Sequence, residues 1–143
     1  MIHNIMETEI DKVVKEIADS KLSTSHEIKI MKNNILQRLM FDKDEMKHYN
    51  KLLTNYRYID EIDELKYGSY IRWFNINKNK TLKLLNGGFI IDITTKNDDI
   101  IILCKNGLNR LFSLKMNETI IFQKNTKQEE VLITILDHVR AIE

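Results

Sequence analysis

The residue types that most often carry out catalysis are few in this chain, and their spacing brings none of them together. The only cysteine, Cys104, ends an Ile-Ile-Ile-Leu run, which predicts a buried thiol without an activating base. The histidines lie on or near predicted helix surfaces and have no metal-ligand spacing with one another or with the cysteine; they are His3, His26, His48 and His138.

Three further groupings resemble known sites only in part. Asp137 and His138 are adjacent on a predicted helix, so their side chains point about 100° apart and cannot orient one another. Gly87-Gly88 lacks the spacing of a phosphate-binding loop, and the acidic residues from Asp60 to Glu64 lack the alternation of a calcium loop. The sequence therefore predicts a non-enzymatic protein with no catalytic residue, no metal and no cofactor.

Positive charge is concentrated in the middle of the chain. Residues 65–124 contain ten Lys and Arg against four Asp and Glu, a net charge of +6 within a chain of +1. Residues 1–64 contain ten against thirteen, and residues 125–143 contain two against four. Three explanations stay open: attraction between the basic segment and the acidic helices, a nucleic-acid-binding face, or an acidic protein partner.

One predicted strand in the basic segment offers the best candidate surface. Alternation puts Ile71 and Trp73 on one face of this strand and its other aromatic rings, with an arginine between them, on the opposite face. If that opposite face points outward, it could stack on a base or a peptide; if helices cover the sheet, both faces are buried. With the nearby basic residues, the predicted binding set is Tyr70, Arg72, Phe74, Lys78, Lys80, Lys83, Lys105 and Arg110.

The segment that must position these residues is predicted to be a β-structure. All four glycines lie within residues 65–124, where five short β-branched or aromatic runs are separated by turn residues. Asn106-Gly107 is typical of a type I′ hairpin turn, and Gly87-Gly88 indicates a tight turn or a bulge. The pattern favours a small five-stranded antiparallel barrel of the SH3-like or Tudor-like kind, with an open antiparallel sheet covered by helices as the alternative.

The segments on both sides of the barrel are predicted to be helical. Residues 1–64 contain three apolar stripes at helical spacing, and the second and third follow capping boxes at Thr24–Glu27 and Asp42–Glu45. A third capping box, Thr126–Glu129, begins a C-terminal helix in residues 125–143 that packs on the rest. The predicted class is α+β, with three N-terminal helices, a barrel and a C-terminal helix. A second copy could pair with the first stripe, which comprises Met6, Ile10, Val13 and Ile17.

Residues 65–124 also resemble a small SH3-like β-module that recurs in uncharacterised proteins of nucleocytoplasmic large DNA viruses, the giant viruses. The resemblance covers less than half of the chain. It implies a compact SH3-like sheet and a viral source, consistent with the many Asn, Lys and Ile residues, and it implies no activity. The matching stretches are Gly68-Ser-Tyr-Ile-Arg-Trp-Phe, Leu85-Asn-Gly-Gly-Phe-Ile-Ile-Asp-Ile, Ile100-Ile-Ile-Leu-Cys-Lys-Asn, Phe112-Ser-Leu and Ile121-Phe-Gln-Lys.

Together these features predict a non-enzymatic interaction or structural protein, a virion, assembly or accessory component that docks through its barrel or its amphipathic helices. The alternative is a nucleic-acid-binding protein that uses the basic barrel face. The expected partner is a protein or a second copy, with no small-molecule substrate and no membrane, since no apolar run approaches the roughly 20 residues of a membrane helix. One cysteine and the lack of a signal-peptide pattern predict an intracellular location, in a host cytoplasm, or a virion.

Overall fold

A computed structural model of the chain describes residues 9, 11, 12, 14, 15, 22–76 and 81–142. Within this part the fold is α+β, with three complete helices and a six-stranded antiparallel sheet. The helices are α1 (Ser25–Arg38), α2 (Lys43–Leu52) and α3 (Lys127–Ile142). The strands are β1 (Tyr56–Ile59), β2 (Tyr70–Asn75), β3 (Gly88–Lys96), β4 (Asp99–Lys105), β5 (Leu111–Lys115) and β6 (Thr119–Lys124).

The five described residues before position 22 are also helical, whereas the apolar stripe predicted around them lies outside the described residues. That stripe comprises Met6, Ile10, Val13 and Ile17. The homodimer predicted from it therefore stays a prediction.

The prediction of three N-terminal helices and a closed five-stranded barrel is wrong, because a sixth strand enters the sheet from the segment predicted as helical. The chain leaves the helical conformation after Leu52, and β1 pairs with β6 in the register Tyr56 to Lys124. The sheet order is β1-β6-β2-β3-β4-β5, so the two outer strands, β1 and β5, do not pair with one another. The architecture is an open antiparallel sheet.

The sheet is strongly curled, and its inner face packs on itself. Trp73 in β2 and Phe112 in β5 would be roughly 14 Å apart in a flat sheet, three strand spacings. Their ring centroids are 5.3 Å apart, so the curl brings the two strands together without pairing them. Every strand contributes to this inner core, which contains Ile59, Leu65, Ile71, Trp73, Ile90, Ile102, Cys104, Leu114 and Ile121.

The helices cover only part of the outer face. A second core joins α1 and the end of α2 to β1, β2 and β6, and α3 packs on the start of α1 through Leu132 and Ile133. On the remaining outer face, Phe89 and Leu111 flank Lys105 in the strand register and are 49% and 63% exposed. The second core contains Ile35, Leu36, Leu53, Tyr56, Phe74, Leu84 and Phe122.

Helix starts follow the capping residues that the sequence predicts. The Asp42 carboxylate accepts from the backbone N–H of Glu45, whose carboxylate accepts from the backbone N–H of Asp42. Thr126 and Glu129 make the same reciprocal pair, at 3.1 and 2.9 Å. Thr24 caps α1 by accepting from the N–H of Glu27. These three boundaries are confirmed.

The predicted two-residue turn at Asn106-Gly107 is wrong. A longer loop joins β4 to β5, and the Asn106 side chain organises it by accepting from the N–H groups of Leu108 and Arg110. A tight turn of this kind joins β3 to β4 at Asn97-Asp98, where both residues have positive φ, 53° and 66°, as a type I′ turn requires. Asn and Asp tolerate this conformation better than most residues.

Candidate functional site

A groove of about 470 Å³ lies at the open seam of the curled sheet, between β5 and β2. Its apolar lining includes Trp73 and Phe112, the two rings that meet across the seam, together with Leu85 and Leu114. The remaining lining residues are Ile101 and the polar residues Asn75, Ser113, Lys115, Glu118 and Thr119. We call this the seam groove. It combines an apolar base with a few polar groups, the usual composition of a binding cleft.

The seam groove borders the outer edge of β5, which lies at the end of the sheet order among the described strands. β5 is the last strand in the sheet and pairs only with β4. Outside that pairing, Thr119 Oγ1 donates a hydrogen bond to the carbonyl of Lys115, the last residue of β5. An unpaired edge offers a row of backbone donors and acceptors to another extended chain.

The lining of the seam groove contains one basic residue, Lys115, and one acidic residue, Glu118. Lys115 is about half exposed, and its Nζ lies 3.9 Å from Asp99 and 4.0 Å from Glu118, at the outer limit of an ion pair. Exposed pairs of this kind contribute little stability, so the ammonium can turn to another carboxylate. Arg110 immediately precedes β5, and Lys83 precedes Leu84 and Leu85 on the other side; both are exposed.

Three of the predicted binding residues are structural. Phe74 is fully buried under the helices, where its ring lies 5.1 Å from that of Tyr49. Tyr70 accepts a hydrogen bond at its hydroxyl from the N–H of Gly87, and Arg72 donates from Nε to the carbonyl of Leu85. Their face is the one the helices cover, and Phe74 has no surface on which a base could stack.

The structure does not bring the other predicted residues into one site. Lys105 lies on the bare outer face between Phe89 and Leu111, whereas Arg110 and Lys83 are exposed residues that precede β5 and Leu84 in the chain and are not in the lining of the seam groove. Lys78 and Lys80 lie outside the described residues. None of the predicted set is in the lining of the seam groove; Arg110 and Lys83 are close to lining residues only in sequence.

Sequence reasoning missed the ring that completes the seam groove. Alternation placed Trp73 on the face opposite Phe74, but nothing in the local pattern linked Trp73 to Phe112, nearly forty residues later. Phe112 and Leu114 share one face of β5 and alternate with Leu111, Ser113 and Lys115, which was the only available signal that Phe112 faces the core. Their contact depends on the curl of the whole sheet.

Cys104 is fully buried, and this burial raises the pKa of its thiol to about 12. The side chain is therefore a neutral thiol near neutral pH and packs as a small apolar residue. His26, His48 and His138 are exposed. In the described ranges, no three His, Cys, Asp or Glu side chains gather in a way that could hold a metal ion.

Comparisons of the chain with protein-family models, curated proteins and solved structures give no match. The resemblance to the giant-virus β-module and the viral source it implies therefore stay predictions. None of the helices in the described ranges is long and apolar enough to cross a lipid bilayer.

Proposed function

We propose that this chain is a non-enzymatic interaction protein that binds an extended, acidic segment of a protein partner at the β5 edge. The observation that carries the proposal is the seam groove itself: an unpaired strand edge borders a cleft that contains Trp73 and Phe112. In binding by strand addition, backbone hydrogen bonds supply affinity and pockets for alternate side chains supply specificity.

The two sides of the β5 edge suit the two faces of an added strand. Side chains on one face of the partner would enter the seam groove beside Phe112 and Leu114. Those on the other face would lie next to Leu111, which is 63% exposed, and near Leu108 at the end of the preceding loop, which is 76% exposed. Exposed apolar side chains beside an open strand edge commonly mark an interaction surface.

Charge favours an acidic partner. Arg110 immediately precedes β5 and Lys115 ends it, while Glu118 is the one acidic residue in the lining of the groove. The surrounding segment carries +6, so an acidic segment would be attracted over a distance set by the salt concentration. In a virus, which the sequence resemblance implies, such a protein would serve as a virion, assembly or accessory component.

Fluorescence of Trp73 provides a direct test, because it is the only tryptophan in the chain. Short peptides that alternate glutamate with leucine are expected to shift its emission and to bind more weakly as salt increases. Reversing two charges with Arg110→Glu and Lys115→Glu is expected to weaken binding about tenfold, roughly 0.7 kcal/mol for each exposed charge. Lys47→Glu, on the exposed side of α2, is the matched control.

Two results would contradict the proposal. One is equal binding by the wild type and the double charge-reversal variant, and the other is no emission change with any acidic peptide. Nucleic-acid binding by the basic face stays a prediction and is tested in the same titration with single- and double-stranded oligonucleotides at low salt. Tighter binding of an oligonucleotide than of the acidic peptides would favour that function instead.

A further inference from the structure

A second cavity, of about 400 Å³, lies on the other side of the molecule, where the start of α1, the end of α2 and the start of α3 meet. Three lysines line it together with a single acidic residue, Glu130. We call it the lysine cavity. Its complete lining is Ser25, Ile28, Lys29, Lys32, Asn50, Lys51, Thr54, Asn125, Glu130 and Ile133.

Lys32 is the unusual member of the lining, because it is only 6% exposed. Its Nζ donates one hydrogen bond, at 2.8 Å, to the carbonyl of Leu53. An ammonium has three N–H groups, and among the described residues no second acceptor and no carboxylate within 4.0 Å serves the other two. Lysine is almost never this deeply buried without a paired charge.

Glu130, the one acidic residue in the lining, offsets part of the positive charge around Lys32, but no ion pair joins the two side chains among the described residues. Glu130 already accepts a hydrogen bond from Asn125, at 3.0 Å. Asp137 accepts from both the backbone N–H and the hydroxyl of Ser25, so it is engaged at the start of α1. Lys29 and Lys51 add two exposed ammonium groups at the opening. The lining therefore carries three positive charges and one negative charge.

The titration behaviour of Lys32 is consistent with this arrangement. Burial lowers its pKa; Glu130 partly opposes that effect and Lys29 adds to it. An anion in the cavity would stabilise the ammonium and raise the pKa again.

We propose that the lysine cavity binds a small phosphate-bearing anion through Lys32, with Lys29 and Lys51 at its opening. Several ammonium groups around one cleft favour a ligand with two or more negative charges, and lysine binds phosphate well as a point charge. The volume lies within the range of small-molecule sites, so a phosphate group on a larger organic molecule also fits. The proposal is independent of peptide binding at the seam groove.

The test uses the full chain and titrates pyrophosphate and adenosine diphosphate separately by calorimetry, at constant ionic strength. Both are expected to bind and to raise the thermal unfolding midpoint. Lys32→Met keeps the length and apolar stem of the side chain but removes its charge, and it is expected to weaken binding roughly tenfold or more. Lys47→Met, outside the cavity, is expected to bind like the wild type.

Backbone amide chemical shifts provide a second readout that does not depend on the stability of a variant. Pyrophosphate is expected to shift the amides of Asn50, Thr54 and Asn125 and to leave those of β4 unchanged. Stronger binding of adenosine diphosphate would indicate that the natural ligand is an organic phosphate. Stronger binding of pyrophosphate would indicate an inorganic one. No binding of either compound, or equal binding by folded Lys32→Met, would overturn the proposal and assign Lys32 to hydration by water alone.

Discussion

At the scale of single residues, Glu129 joins three separate parts of the chain. It is 3% exposed, and its Oε2 accepts hydrogen bonds from Arg57 at 2.7 Å and from Lys66 at 2.9 Å. Its Oε1 accepts from the N–H of Thr126 at the start of α3. Burial alone would raise the pKa of this carboxyl, but the hydrogen bonds from Thr126, Lys66 and Arg57 outweigh burial and lower it. One carboxylate thereby attaches α3 to β1.

The lowered pKa of Glu129 predicts a pH dependence of stability. A carboxyl whose folded-state pKa lies below its unfolded value stabilises the fold above the unfolded value, and this contribution is lost as pH falls through the folded value. The ordinary value is 4.5, so the loss is expected below that pH. Glu129→Gln is expected to cost about 3 kcal/mol near neutral pH, since it leaves Arg57 without its counter-charge.

Urea unfolding between pH 7 and pH 3 checks this expectation. The free energy of unfolding of the wild type is expected to fall more steeply with acidification than that of Glu129→Gln. Glu118→Gln, an exposed carboxylate, serves as the control and is expected to behave like the wild type. The same acid dependence in the wild type and in Glu129→Gln would contradict the assigned role.

At the scale of elements, the sequence predicted a boundary correctly where all the residues that form it lie within one short segment. The capping residues at Asp42 and Thr126 act within four residues, so the helix starts could be predicted from the sequence. β1 could not, because Tyr56 continues the helical spacing of Met46, Tyr49 and Leu53. Only pairing with β6, more than sixty residues away, makes it a strand.

The candidate site was less predictable than the elements for a related reason. Alternation in β2 correctly separated Trp73 from Phe74, but it cannot say which face the helices cover. The lysine cavity could not be predicted from the sequence at all, since the local pattern around Lys32 is that of an ordinary exposed helix lysine. Its burial depends on three elements that meet around it.

The close approach of β2 and β3 makes a prediction about Gly87. A Cβ atom at this position would lie 2.3 Å from the carbonyl oxygen of Ile71 and 2.4 Å from the ring of Tyr70. Because one of the two neighbours is backbone, the strands would have to separate, and Gly87→Ala is expected to cost about 2–3 kcal/mol. The measurement is the free energy of unfolding in urea.

Gly107 provides the matched control for this substitution. A Cβ there would have nothing within 4 Å, so Gly107→Ala is expected to change the free energy of unfolding by less than about 0.5 kcal/mol. Equal stability of the two alanine variants would show that β2 and β3 can separate at little cost.

At the scale of the whole molecule, the helices and the sheet are joined by a common hydrophobic core. α1 contributes Leu36 to the same core as Phe74 of β2 and Phe122 of β6, and β1 pairs with β6. The boundary predicted at residue 65 therefore separates β1 from the rest of the sheet. It also separates α1 and α2 from the strands on which they pack. A fragment of residues 65–124 would expose Phe74 and Phe122 to water.

This shared core predicts that residues 65–124 do not fold when expressed alone. Their amide proton resonances are expected to show the narrow dispersion of an unfolded chain, whereas the full chain gives a dispersed spectrum. In the full chain, Trp73 fluorescence and helical circular dichroism are expected to report the same unfolding midpoint, because the two cores unfold together. A dispersed spectrum from the fragment, or two separate midpoints, would contradict this.

The position of β6 has a consequence for protein synthesis. This strand is made after all the others, yet it lies between β1 and β2, so both strands have an unpaired edge until residues 119–124 emerge from the ribosome. During that interval the nascent chain presents open edges on β1 and β2, and Phe74 has not yet gained its contact with Phe122, the kind of surface that chaperones recognise. Refolding can be monitored by pulsed hydrogen exchange. Amides of the β3–β4 hairpin are expected to gain protection before those of β1. The reverse order would contradict this expectation. Completion of the last strand is therefore the step that commits the molecule to its native form.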